Sequence, residues 1–198
     1  MRVHRPSRRL LATVFVTLAL GATPVATASS TSSVTTPTVT AAACAAPWGS
    51  LAKQQSTWST SQITGVRSGQ HACFDRLVID LNDAGAGTPG FDVRYVTRVA
   101  QEGSGATVPL RGGARLRVIV RAPAYDEDGP TYVPANRNEL VNPTGYRTFR
   151  QVAWAGSLEG QTTIGLGVRA RLPMRAFVLA NLDGTGHRLV VDVAHLWY

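Results

Sequence analysis

Period-two alternation constrains this chain most. In GFDVRYVTRV, Gly90–Val99, residues Phe91, Val93, Tyr95, Thr97 and Val99 fall on one side, and Asp92, Arg94, Val96 and Arg98 on the other. ARLRVIVRA repeats the arrangement, with Leu116, Val118 and Val120 opposed to Arg115, Arg117, Ile119 and Arg121. GVRARLP sets Val168, Ala170 and Leu172 against Arg169 and Arg171. Successive side chains of a strand point to opposite faces, so these runs are predicted strands with one apolar and one polar face. Gly and Pro punctuate them at GAGTPG, LRGG and LDGTG. No segment carries a long helical period. The predicted fold class is therefore all-β: an antiparallel β-sandwich of two related sheets with one long irregular loop.

That loop is APAYDEDGPTYVPANRNELVNPTG, Ala122–Gly145, rich in Pro, Asn and Asp. A loop of this length in a compact domain is commonly functional or disordered. A helical turn is allowed around Asn136–Leu140. The lead-in WGSLAKQQSTWSTSQ reads as a short helix or an irregular segment.

One pattern occurs twice. CFDRLVIDL and HRLVVDV share Arg-Leu-Val-(β-branched)-Asp-aliphatic. In the first, Leu77, Ile79 and Leu81 form one row, and Arg76, Val78 and Asp80 the other. In the second, Leu189, Val191 and Val193 oppose Arg188, Val190 and Asp192. Charges four residues apart on one strand lie about 13 Å apart, so Arg76, Asp80, Arg188 and Asp192 are expected to form ion pairs with neighbouring strands. The duplication is explained most simply by similar strands in a symmetric pair of sheets.

The chain begins with Arg2, Arg5, Arg8 and Arg9, then an apolar run Leu10–Ala22, then VATA with Ala26 and Ala28. A basic n-region, a short h-region and an Ala-x-Ala site predict a secretory signal peptide at 1–28, leaving no transmembrane anchor after cleavage. Residues 29–43 follow as a flexible Ser/Thr-rich linker, with nine Ser or Thr among Ser29–Thr40. One domain, 44–198, remains, long enough for a single core. The formal charge of +8 owes four arginines to the signal peptide, which leaves sixteen cations against twelve acids. Two cysteines in an exported chain, Cys44 and Cys73, are expected to form a disulfide.

CFDRLVIDL, VPLRGGARLRVIV, GYRTFRQVAWAGSLEGQTTIGLGVRARLPMRAFVL and RLVVDVAHLW together resemble the AMIN-like domain of secreted bacterial proteins, across nearly all of Trp48–Trp197. That family is similar to the AMIN domain of N-acetylmuramoyl-L-alanine amidases. The resemblance implies a β-sandwich of two related sheets and an envelope-binding module with peptidoglycan as ligand.

Chemistry is sparse. His71, His187 and His195 are too separated along the chain to form a metal motif, and a solvent-facing or capping role is expected of them. Asp126, Glu127 and Asp128 lack the spacing of a calcium loop. No Gly-x-Ser-x-Gly elbow is present. The sequence therefore predicts no catalytic residue, no metal and no cofactor. Binding has more support. Tyr125, Tyr132, Asn136 and Arg137 combine rings, an amide and a guanidinium, which suit sugar recognition. Arg147 and Arg150 are placed to meet carboxylates or phosphates. Trp154 reads as core. The expected function is a non-enzymatic, secreted cell-envelope module binding peptidoglycan or another wall polymer. A small secreted hydrolase and a protein-interaction domain with an envelope-protein partner are the alternatives. Nucleic acid is not expected as a partner, because the arginines are spread over several strands of an exported chain.

Overall fold

The computed structural model describes residue 44 and residues 46–82 and 87–197. The expected signal peptide at 1–28 and linker at 29–43 lie outside them. Among the described residues no helix is long and apolar enough to cross a membrane. The strands are β1 (Lys53–Gln55), β2 (Ile63–Gln70), β3 (Phe74–Leu81), β4 (Gly90–Val96), β5 (Val99–Ala100), β6 (Thr107–Val108), β7 (Ala114–Arg121), β8 (Phe149–Leu158), β9 (Gln161–Val168), β10 (Met174–Ala180) and β11 (His187–Ala194). One sheet has the order β1-β4-β7-β9-β8 and the other β10-β11-β3-β2, and β5 pairs with β6. All pairings are antiparallel.

Alternation fills the core. Leu77, Ile79, Leu189, Val191 and Val193 of the four-stranded sheet meet Phe91, Val93, Leu116, Val118 and Leu166 of the five-stranded sheet. Each such side chain contributes about 1.5–3 kcal/mol by leaving water. A second, small cluster lies outside the five-stranded sheet, where Val99, Val108 and Leu110 pack on Ala153 and Ala155. The glycines of β9 permit this. A Cβ at Gly167 would stand 2.1 Å from the Arg111 carbonyl oxygen, and one at Gly165 would stand 2.9 Å from Leu110 Cδ1.

Several expectations change. The run 90–99 is not one strand. It breaks at exposed Thr97 and Arg98, and Val99 starts β5 in the outer cluster. GVRARLP is a strand only as far as Val168. Its remainder carries the chain from one sheet to the other. There the Tyr95 hydroxyl accepts the Leu172 N–H and donates to the Leu172 carbonyl, each at 2.9 Å, in place of a strand partner. The lead-in holds only the three-residue β1, and 136–140 forms a single turn closed by Glu139 N–H to the Asn136 carbonyl at 3.2 Å. The long loop has a structural duty as well. The Trp154 N–H donates to the Arg137 carbonyl at 2.7 Å and the Leu140 N–H donates to the Val152 carbonyl at 2.8 Å, so the loop covers the edge of β8.

The duplicated segments do not sit in two symmetric sheets. They are β3 and β11, direct antiparallel neighbours, with Arg188 opposite Asp80, Val190 opposite Val78 and Asp192 opposite Arg76. Antiparallel pairing of two Arg-x-x-x-Asp strands sets each Arg against the other's Asp. One end uses this directly: Arg76 binds Asp192 through two hydrogen bonds, 2.7 and 2.9 Å. Arg175 of β10 joins it at 2.8 Å. At the other end Asp80 instead receives Arg67 of β2, at 2.8 and 2.9 Å.

Candidate functional site

Cys44 and Cys73 form a disulfide. It ties the start of the described chain to the residue before β3. Beside it, Phe74 is stacked by His71 with ring centroids 4.5 Å apart and meets Trp48 edge-on at 5.6 Å. Arg175 lies 4.3 Å from the centroid of Trp48 and 5.2 Å from that of Phe177. These aromatic faces and the carboxylate of Asp192 hold the outer guanidinium groups in place.

At the same end of the sandwich, Asp75 and His195 are buried. Asp75 Oδ2 accepts the backbone N–H groups of Thr148 (2.6 Å) and Phe149 (2.9 Å), and Oδ1 lies 2.9 Å from His195 Nε2. His195 is thus neither solvent-facing nor a simple cap, but half of a sealed polar clasp joining β3, β8 and the end of β11. Its signal was in the sequence: Asp75 extends the aliphatic row Leu77-Ile79-Leu81, and His195 extends Leu189-Val191-Val193. A polar residue continuing a core row needs a partner.

The long loop forms an open groove of about 450 Å³, lined by Tyr125, Pro130, Tyr132, Val133, Arg137 and Trp154, among others. A tight turn makes its rim. The Asp126 N–H donates to the Gly129 carbonyl at 2.8 Å, Asp126 Oδ1 accepts the N–H groups of Asp128 and Gly129, and Gly129 takes φ 135°. Asp126 therefore shapes a turn. Tyr125 is pinned by its hydroxyl, which accepts the Gly160 N–H at 3.2 Å, while the residue as a whole is 38% exposed. Tyr132 tilts against Trp154 with centroids 5.6 Å apart, and burial pushes its hydroxyl pKa upward. Trp154 is core, as read from sequence, yet it also lines the groove. That second role had no sequence signal, because it depends on where the loop lies across β8.

The six expected binding residues do not form one site. Tyr125, Tyr132 and Arg137 gather here. Asn136 does not line the groove: its Oδ1 accepts the Asn138 N–H at 2.9 Å and builds the turn. Arg150 donates to the carbonyls of Phe149 (2.8 Å), Tyr146 (3.1 Å) and Arg147 (3.2 Å), and so braces its own segment. It lines a different cleft, of about 600 Å³, beside the Arg111–Glu139 pair. Arg147 is exposed and lines neither. Arg188 faces the Asp80–Arg67 pair and Asp183 in a third, shallow recess.

The groove presents ring faces, an apolar floor and a single guanidinium. Such a surface binds flat, partly apolar ligands bearing occasional negative charge. No curated protein matches the sequence. A family model described as the AMIN-like domain matches residues 61–195, which take in both sheets from β2 to β11, the Asp75–His195 clasp and the groove. The match covers more than half of the chain, and the chain belongs to the AMIN-like domain family.

Proposed function

We propose that this protein is a secreted, non-enzymatic envelope module that binds peptidoglycan or a related wall polymer in the groove between the long loop and β8. The observation that carries the reading is the convergence of Tyr125, Tyr132 and Trp154 around Arg137. Sugar rings offer C–H faces to aromatic rings, and their hydroxyl and carboxylate groups suit the guanidinium. Family membership and the disulfide support an extracytoplasmic setting.

Co-sedimentation of the exported protein with purified peptidoglycan tests this. Tyr125→Ala combined with Tyr132→Leu removes the ring faces and keeps an apolar side chain where Tyr132 packs on the core. Binding should fall about tenfold, the effect of roughly 1.4 kcal/mol, with the fold retained. Release of soluble muropeptides would move the assignment to a wall hydrolase. Failure to sediment at low salt would reject wall binding and favour an envelope-protein partner.

A further inference from the structure

We propose that the uncovered half of the five-stranded sheet's outer face binds a linear polyanion through Arg94, Arg98, Arg115 and Arg117. This surface shares no residue with the aromatic groove. On β4 and β7 the inward positions are Phe91, Val93, Leu116 and Val118, so Arg94, Arg115 and Arg117 project outward. The register sets Arg94 directly opposite Arg117 and Val96 opposite Arg115. The other half of this face, on β8 and β9, is covered by the β5–β6 hairpin and Leu110. Arg98 stands on that covering segment, and a recess of about 490 Å³ is lined by Arg98 and Arg117 together with Gln161 and Thr163.

Among the described residues, the strands of the five-stranded face offer their arginines one aspartate, whereas those of the four-stranded face offer two, with Arg188 beside Asp80 and Asp183. On the outer face of the four-stranded sheet, Arg67 has Asp80, and Arg76 and Arg175 share buried Asp192. On the five-stranded face Asp92 serves two arginines: it pairs closely with Arg94 and lies 3.6 Å from Arg117. The Arg117 Nε–H is buried without an acceptor among the described residues. No ion pair among those residues includes Arg98 or Arg115. Glu102, in the recess, accepts the Thr163 hydroxyl. Like charges directly across a strand pair are unfavourable, and a negatively charged ligand removes that cost.

The spacing specifies a chain of charges over a single anion. Arg115 and Arg117 are about 7 Å apart along the strand, and Arg94 and Arg117 about 5 Å across it. A polymer with one phosphodiester or carboxylate in each short repeat meets several guanidinium groups at once. None of the four arginines stacks on an aromatic ring among the described residues, so their guanidinium groups are free to meet anions. The outward apolar residues between them, Val96 and Ile119, are half-buried and offer nothing to insert into a bilayer.

The experiment is a salt series with the exported protein and two soluble probes, poly(glycerol phosphate) and polyglutamate. For three to four neutralised phosphates, log K should fall against log salt with a slope of about −2 to −3, using roughly 0.7 per charge for a single-stranded polyanion. Arg98→Gln and Arg115→Gln break no ion pair; the first gives up one exposed hydrogen bond, from Arg98 to the Gly105 carbonyl at 3.2 Å, and both should retain the parent's thermal transition. Each should flatten the slope by about 0.7 and weaken low-salt binding several-fold. Arg115→Lys should retain the slope. Binding of either probe with these arginine effects supports the site and names its anion. A flat salt response, glutamine variants that match the parent, or anionic vesicles and oligodeoxythymidine binding where both polymers fail would each overturn it.

Discussion

Asp80 and Asp192 occupy equivalent places in the duplicated segments, yet their surroundings make them unequal. Asp192 has a fully buried side chain that accepts from Arg76 and Arg175. Asp80 is 30% exposed, and its partner Arg67 is 56% exposed. Removing one partner of a buried pair costs about 3–5 kcal/mol, whereas an exposed pair contributes about 0.2–1 kcal/mol. Because both arginines around Asp192 reach solvent, the lower end applies. Asp192→Ala should lower stability by about 3 kcal/mol and Asp80→Ala by under about 1 kcal/mol, measured by urea unfolding. Equal losses would contradict the assignment. Nothing in the two matching motifs distinguishes these aspartates. β3 and β11 are both interior strands beside an edge strand, and the difference arises because Asp192 receives Arg76 from β3 as well as Arg175 from β10, while Asp80 receives only Arg67 from β2. Asp75 is different: its place in the core row Leu77-Ile79-Leu81 marks it in the sequence as a polar group that needs a buried partner.

At the scale of elements, alternation made β7 and most of β4 legible, since hydrophobic burial repeats with the pleat. It failed at GVRARLP, where the period continues past the end of the strand. The alternating side chains still choose between core and solvent there, but the backbone finds Tyr95 instead of a ladder. That substitution has a measurable consequence. Burial is the main cause holding the Tyr95 hydroxyl above its ordinary pKa of 10.0. A raised value favours the neutral form in the folded state. Its contribution is therefore complete below pH 10 and is lost as pH rises through the folded pKa. Thermal denaturation followed from pH 9 to 11.5 should show falling stability above about pH 10. Tyr95→Phe should flatten that decline while costing about 1–2 kcal/mol at neutral pH, where both hydrogen bonds to Leu172 are lost. Tyr132, also raised, keeps the flattening incomplete. The disulfide acts on another element. It spans a sequence separation of 29, and restricting the unfolded chain over such a loop stabilises by roughly 3–4 kcal/mol. Cys44→Ala with Cys73→Ala should lower Tm by about 10 °C by calorimetry, at roughly 2–4 °C per kcal/mol for a domain of this size. An unchanged Tm would mean that the bridge closes a segment already held by packing.

Across the whole molecule, residue types in the long loop pointed to binding, but their partition followed from the path of the backbone. Asn136 closes a turn of the loop, and Arg150 at the start of β8 caps carbonyls of the segment leading into that strand, because an irregular segment has no ladder to do so. The arginines of β4 and β7 were visible as alternating charges. Their crowding was not, since it needs the register that sets Arg94 against Arg117. The two proposed surfaces therefore differ in physical character and share no residue, which yields a test on intact cell walls retaining their anionic polymers. Exposed charges are screened beyond about 10 Å at 0.1 M salt, whereas contact between sugar faces and rings is not. Wall binding should accordingly show a salt-sensitive and a salt-resistant component. Arg98→Gln with Arg115→Gln should reduce only the first, and Tyr125→Ala with Tyr132→Leu only the second. The four changes together should add in free energy within about 0.5 kcal/mol, as independent sites do. Walls stripped of anionic polymers should lose the first component while the second persists. If the tyrosine changes also abolish the salt dependence, the two surfaces are not independent, and a single ligand must span both.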